Sequence, residues 1–535
     1  SYRAFSTPLF DVQLNSRITE DDSFYGYSVL GSHDLAYLNS QYFISGIKGD
    51  SVTDLRWKLS KESAEGGLLG PLDLTGYQFG DVSPINTGID YNASISRGFS
   101  LSRGAIGNIV NNKININGDI QPGWDVELYR NGILIDRQIS LQSGRYEFND
   151  VDLVFGNNIF EMVLYGPQGQ VEKTTREVFI NQNSLKGLAS SYGVSLTQTG
   201  KSLFGVSNTA ADDDEGWLFA GRYDQGVTDW FSFSLGHSSL IADEGDNQFD
   251  FTLGANMTLF ERLLLDTNIQ YDQDDNHSLR LSAKTGIGAH SFDYSYREDN
   301  FAGSGENNDL GDRSEHFFRM SGHILRDTGF PINYQNQFRI TEERNGQKTN
   351  NFSNQISINT HKTSISNALF WQDIENPTGT DSDTQTLSGQ TRVQRSFGKY
   401  FTRWEADYTL DPEAEISRVS SEVSWALTEH LQSEFELEYF PNVDDYRTQL
   451  GLNWKQDAFN LTGNVSYNQQ GDWALGLFLR FSLGYETDRD DYFVTSKPLT
   501  HSGALIVRVF EDLNANGRFD EGEPLVEGAK VKGVQ

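Results

Sequence analysis

The sequence predicts an all-β protein: one large transmembrane antiparallel barrel of about 24 strands, interrupted by a small β-sandwich and followed by part of a further β domain. Three observations carry that reading. Apolar and polar residues alternate with period two through segments of about ten residues from residue 188 to 486. No apolar run approaches the roughly 18 to 20 residues of a membrane-spanning helix. Between Asn112 and Asn181 the pattern changes to shorter strands joined by tight turns.

Composition narrows the class. Hydrophobic residues are only 37% and the mean hydropathy is -0.52, yet aromatics reach 13%, more than a disordered chain would carry. One closed sheet absorbs 535 residues without needing a thick core. If the chain spans a membrane it must do so as a barrel, the one alternative to helices that bonds every backbone group. The net charge of -33, with no basic surface concentrated anywhere, excludes nucleic acid as a partner. Solubility and the electrostatics of a water-filled lumen account for the acidity. The absence of Cys removes disulfides, thiolate metal sites and Cys nucleophiles, and suits an envelope protein kept unfolded in transit. No signal peptide is visible at Ser1, as expected of a mature or trimmed chain.

Residues 1–110 supply about six strands, among them Phe10 to Thr19, Val52 to Lys61 and Leu74 to Val82. Residues 111–183 read as the sandwich. There Trp124, Val126, Leu128 and Tyr129 lead into Asn131-Gly132, a hairpin signal because both turn residues must take positive φ. Gly144, Tyr146 and Phe148 follow, then Val151 to Phe155 and Phe160 to Tyr165, and Gly166-Pro167-Gln168-Gly169 makes another turn. A domain of this size has a radius of gyration of about 11 Å.

Residues 184–490 supply about 18 more strands. Four stretches are clearest. Phe249, Phe251, Leu253, Ala255, Met257 and Leu259 interleave with Asp250, Thr252, Gly254, Asn256 and Thr258. Leu263, Leu265, Ile269 and Tyr271 interleave with Asp266, Asn268, Gln270 and Asp272. Phe435, Leu437 and Tyr439 alternate with Glu434, Glu436 and Glu438, three carboxylates that lipid would not tolerate and a lumen would. Trp473, Leu475, Leu477, Leu479, Phe481, Leu483 and Tyr485 carry aromatics at both ends, as an interfacial girdle does. Asp266, Glu434, Glu436 and Glu438 are therefore expected on the lumen face. A polar link from Arg297 to Glu315 is expected to face short links such as Asp272 to Asn276 at the other rim. With strands about 4.8 Å apart and tilted about 40°, 24 strands close a ring roughly 45 to 50 Å across. Side chains cannot fill that width, so the sandwich is expected to be a plug.

Residues 491–535 form a linker and the start of an extramembrane β domain. Asp512, Asn514, Asn516, Arg518, Asp520 and Glu523 stand at positions 1, 3, 5, 7, 9 and 12 of a calcium loop, with Gly517 at the sharp turn. The preceding Ala504 to Phe510 reads as a strand, so this is no EF-hand pair. The segment looks like the start of a calcium-binding B-type repeat of bacterial surface proteins; an Asn/Gly-rich hairpin without an ion is the alternative. Other motifs carry less. Gly200-Lys201-Ser202 has Ser at position 195 where a phosphate loop requires Gly. His316 and His323 are seven apart, which on one strand puts them on opposite faces. No cofactor is expected for transport, and no enzymatic activity.

The stretch Gly118-Asp119-Ile120 through Trp124-Asp125-Val126-Glu127-Leu128-Tyr129-Arg130-Asn131-Gly132, then Gly144-Arg145-Tyr146-Glu147-Phe148 and Tyr165-Gly166-Pro167-Gln168-Gly169-Gln170, resembles the fimbrial usher family. Gly80-Asp81-Val82, Ser96-Arg97-Gly98-Phe99 and Tyr192-Gly193-Val194-Ser195-Leu196 resemble its flanking strands, so the likeness runs by motif over roughly residues 70 to 205. It implies an outer-membrane translocation pore whose plug interrupts the barrel and is displaced when chaperone-delivered subunits are exported. The partners implied are outer-membrane lipid and periplasmic chaperone–subunit complexes or other secreted cargo. Two departures accompany it: ushers carry a periplasmic domain ahead of the barrel, where this sequence starts beside its first strand, and their terminal domains often hold a Cys pair. The alternatives to a gated export pore are a permanently plugged barrel that anchors an envelope or surface assembly, and a diffusion channel, which would need no plug.

Overall fold

The computed structural model describes the chain except residues 1, 64, 89–94, 105–108, 111–112, 120–123, 142–144, 166–170, 181–186, 207–214, 301–311, 326–327, 329, 361–362, 378–382, 398–399, 429, 487–490, 501–508, 512, 514–518, 520–521, 525 and 527–535. Among the described residues, six antiparallel strands lie ahead of the insert: Leu9–Thr19, Ser23–Leu35, Leu38–Ile47, Asp50–Glu62, Gly76–Val82 and Ser96–Arg103. Eighteen follow it, from Ser190–Thr199 to Trp473–Glu486. Ser96–Arg103 pairs directly with Ser190–Thr199, Gly98 opposite Thr197, so the sheet continues across the interruption. Trp473–Glu486 pairs with Leu9–Thr19, Leu483 opposite Phe10, and this seam closes a 24-stranded ring. A further short strand, Asp491–Thr495, adds to the end of Trp473–Glu486.

Burial on the ring is inverted relative to a water-soluble protein. Ser195, Thr197 and Asn268 are buried, whereas Leu253 is 58% exposed and Phe251 56%. Period-two alternation in a closed sheet leaves one inner and one outer face, so the polar residues line the lumen and the exposed apolar ones form the outer belt. All four stretches adopt the faces their sequences predict: Leu264, Asp266 and Asn268 point in where Ile269 and Tyr271 point out, and Phe435, Leu437 and Tyr439 project outward opposite the Glu434, Glu436, Glu438 row. No helix among the described residues is long and apolar enough to cross a membrane; the strands do so. An Arg in place of Leu253, mid-strand on the outer face, is expected to cost about 2 to 4 kcal/mol. Unfolding of wild type and Leu253→Arg from lipid vesicles by denaturant measures that difference.

The two rims differ. At the rim where the insert enters, many links are two-residue turns, such as Ala36-Tyr37, Asp229-Trp230 and Gly288-Ala289. The opposite rim carries most of the long links, after Val82, Thr199 and Asn300; the link from Glu62 to Gly76 is a long one at the insert rim. Short turns mark the periplasmic side of such barrels, so the insert enters from there. The expected pairing of links across the barrel is corrected in one respect. Asp272 to Asn276 and the link after Asn300 both join strands at the same, outer rim, because one complete up-and-down pair, His277–Ile287 and His290–Asn300, separates them. At that rim Lys48 Nζ lies 2.7 Å from Asp22, and its hydrogen bond holds the Asp22 carboxyl below the usual carboxylate range.

Candidate functional site

The insert is a two-sheet domain. Trp124–Arg130, Ile133–Leu141, Gly156–Tyr165 and Val171–Ile180 make one sheet; Ile109–Val110, Lys113–Asp119 and Arg145–Asp152 make the other. Inward side chains of both, among them Ile114, Ile116, Val126, Leu128, Tyr146, Phe148, Phe160 and Met162, form a buried core. Each such large apolar side chain contributes about 1.5 to 3 kcal/mol on burial. Asn131 and Gly132 take φ of 51° and 78°, the positive values the hairpin requires. The Asn131 side chain donates to the Asn157 carbonyl at 3.1 Å and accepts from the Ile159 N–H at 2.9 Å, tying this turn to the next strand. Buried Asn158 was not singled out in the sequence. Its Oδ1 accepts from Val154 N and its Nδ2 donates to Val154 O, both at 2.8 Å, which fixes the bend between the sheets.

Of the residues expected to matter here, Tyr129, Asn131, Gly132, Tyr146 and Phe148 belong to the turn, the core or the surface toward the barrel. Trp124 and Tyr165 lie on strands, opposite Leu141 and Asp125 respectively, with their side chains outside the described part. Gly166 and Pro167 fall outside the described residues.

The insert touches lumen-facing side chains from well-separated strands, which places it inside the ring. Leu264 and Phe478, both pointing inward, join its apolar core. Lys284 Nζ donates to the Leu153 carbonyl at 2.8 Å. Beside it Gly286 leaves room for Phe155; a Cβ there would come within 2.5 Å of the ring. Arg130 donates to Gln335 Oε1 at 2.6 Å. Arg392 makes the most connected contact. Its Nε donates to Glu405 at 2.6 Å, one terminal nitrogen donates to the Tyr129 hydroxyl at 2.7 Å, and the other lies 3.4 Å from Glu127. Tyr129 in turn donates to Glu127 Oε2 at 2.6 Å. The Arg392 side chain is 11% exposed and that of Glu127 only 3%, so this bridge from wall to insert is largely desolvated.

From the outer rim a second segment enters the lumen. Pro84 to Gly88, after the strand Gly76–Val82, is buried; Ile85 N donates to Ser195 Oγ at 2.9 Å, and a Cβ on Gly236 would strike the Thr87 carbonyl. This inward fold was not legible in the sequence, where a link between strands carries no sign of which side of the sheet it takes.

The Glu434, Glu436, Glu438 row belongs to a charged wall beside Arg392. Cross-strand register sets Glu436 opposite Glu422 and Glu438 opposite Ser420. Arg418 pairs with Glu405, lies 2.8 Å from Asp407 and 3.0 Å from Glu438, and Arg403 lies 3.1 Å from Glu422. Asp266 sits apart from this wall, on Leu263–Asp272, and accepts from Asn268 at 2.9 Å. Lys201 pairs with Asp243 and lies 3.4 Å from Glu215, a link residue rather than a phosphate ligand.

Past the barrel, the chain turns back to the seam: Asp11, on the lumen face, accepts from Leu499 N at 2.8 Å, Thr500 N at 3.1 Å and the Thr500 hydroxyl. In the expected calcium loop, Asp512, Asn514, Asn516, Arg518 and Asp520 lie outside the described residues. Its flanks pair, Val526 N donating to Val509 O at 2.8 Å and Glu511 N to Pro524 O at 3.0 Å. Glu523, position 12, accepts from the N–H of Leu513, position 2, at 3.0 Å.

No protein-family model matches the chain, and no curated protein sequence does. Among solved structures the fold is similar to the P pilus usher (PapC) translocation pore, with a TM-score of 0.51 at 12% identity over 89% of this chain and 99% of that one. It is also similar, at a TM-score of 0.57 and 12% identity, to a chain of the E. coli P pilus tip assembly intermediate PapC-PapD-PapK-PapG, covering 93% of this chain and 63% of that one. The fold is usher-like, and the closed barrel with its apolar belt places the protein in the bacterial outer membrane.

Proposed function

We propose that this protein is a gated outer-membrane pore that exports pilus-type protein subunits, with the insert as the plug that closes it at rest. The observation that carries this reading is the Arg392 bridge. Among the described contacts, polar and ionic bonds from Arg130, Arg392 and Lys284 join insert to wall beside the apolar contacts of Leu264 and Phe478, and water can replace each of the polar ones when the insert leaves. The likeness to an usher captured with PapD, PapK and PapG supports the same kind of partner for this chain. No chemical step is needed: the work comes from binding and folding of cargo on the two sides of the membrane. When the protein is purified from a strain that also makes its periplasmic chaperone and subunits, an immunoglobulin-like chaperone bound to a subunit is expected to copurify. Recovery of the barrel without any such complex would count against export of pilus-type cargo.

The second reading is a permanently plugged anchor, favoured by the contribution of Leu264 and Phe478 to the insert core. We further propose that the tail loop takes Ca2+. Pairing of its flanks and the hydrogen bond from Leu513 N to Glu523 suit an oxygen-ligand site held by Asp512, Asn514, Asn516, Asp520, Glu523 and the Arg518 carbonyl. Calorimetric titration with CaCl2 is expected to show one site, lost in Asp512→Ala and Glu523→Ala; heats equal in all three proteins would leave only a hairpin turn.

A further inference from the structure

The outer half of the lumen holds a groove that none of these contacts uses. It encloses about 300 Å³, toward the small end of ligand pockets, and is lined by Gln337, Arg339, Asn351, Phe370, Gln372 and Ser388 on neighbouring strands. Phe370 is the anomaly. Register sets it opposite Ser353 and Ser388, hence on the inner wall, while Leu369 and Trp371 take the outer face. It is 43% exposed, whereas the groove's other inward ring, Phe317, is buried beneath Arg319 and Arg339; among the described residues neither the outer belt nor the insert core covers Phe370. An aromatic ring held open to water in a polar cleft is a surface kept for a ligand.

The rest of the lining sets the class of ligand. Gln372 Nε2 donates to Asn351 Oδ1 at 3.1 Å, which aligns two side-chain amides next to the ring, and Gln337 adds a third across the strand pair. Arg339, the cation of the lining, is matched: it lies 3.5 Å from Glu315 and stacks 5.2 Å from the Phe317 ring. The groove is therefore close to neutral and suits neither a phosphate nor a cation. It offers one exposed ring face, that of Phe370, and several amide and hydroxyl groups able both to donate and to accept. A pyranose has the complementary surface, an apolar C–H face and a rim of hydroxyls. An extended peptide is disfavoured because it would be held by main-chain pairing at a sheet edge, and this wall is sheet interior with every neighbour in place.

We propose that this groove binds a neutral oligosaccharide that enters from the outer rim, stacked on Phe370 and hydrogen-bonded by Gln337, Asn351 and Gln372. The proposal is independent of the export reading. Its test is saturation-transfer NMR on the detergent-solubilised full chain with maltohexaose, cellohexaose, N-acetylchitohexaose and, as a competitor class, a Gly/Ser decapeptide. At least one saccharide is expected to receive saturation, its affinity falling about tenfold in Phe370→Ala, recovering in Phe370→Trp and unchanged in the outward-facing Leu369→Ala. Retained heat-modifiable migration of each variant shows that the barrel has formed. Transfer to none of the saccharides, equal transfer in Phe370→Ala, or preference for the decapeptide would overturn it.

Discussion

Deleting residues 113–181 is expected to raise single-channel conductance in planar bilayers at least about tenfold, because the ring left behind is roughly 45 to 50 Å across and no side chain of the wall can span it. The barrel does not need the insert to close: Ser96–Arg103 pairs with Ser190–Thr199 along Arg97 to Arg103, and the seam lies elsewhere on the ring. Conductance of the deletion tests occlusion, and opening of the intact chain separates the two readings. A wide, steady channel shows that the insert is what occludes the lumen, whereas unchanged conductance in a chain that still inserts removes it as the barrier.

Arg392→Ala tests the same gate without removing it. The substitution leaves Glu127 buried beside Glu405 without the guanidinium that lies between them. Removing one partner of a buried ion pair costs about 3 to 5 kcal/mol. That penalty falls on the closed state, since Glu127 regains water once the insert departs. The open-to-closed ratio is therefore expected to grow by about two to four orders of magnitude, read as the fraction of recording time spent open. Glu127→Gln should have a smaller effect in the same direction, because the uncharged amide tolerates burial better. Arg447→Ala, whose partner Glu438 is in the wall at 3.7 Å, should leave gating as it was. Equal open fractions in Arg392→Ala and wild type would remove the bridge from the account of gating.

Most of the ring was legible in the sequence because alternation reports directly which face a residue takes. Leu263 to Asp272 and Trp473 to Tyr485 occupy the faces their patterns predict, and the Asn131-Gly132 turn follows from the two residue types that accept positive φ. The candidate site was less legible for a physical reason. Period two says that Arg392 and Glu405 point inward, but nothing local says that Glu127 and Tyr129, some 265 positions earlier, wait across the gap. The inward fold of Pro84 to Gly88 and the capture of Thr500 by Asp11 are hidden likewise, since links carry no periodicity to read. The error over Asp272 to Asn276 has a similar source: alternation is blind to strand direction, and assigning a link to a rim needs a running count of every strand before it.

The seam between Phe10 and Leu483 also constrains how the molecule is made. Adjacent hairpins form from near neighbours in the chain, but this ladder joins the first and last strands of the ring, so its loop-closure entropy must be met after everything between has been laid down. Until then both terminal strands present unsatisfied amides and carbonyls, which lipid does not tolerate and which invite pairing with another chain. Assembly should therefore be all-or-none at its last step, and a chain cut before Trp473 would be left as a curled ribbon with two sticky borders, prey to proteolysis or to a second ribbon.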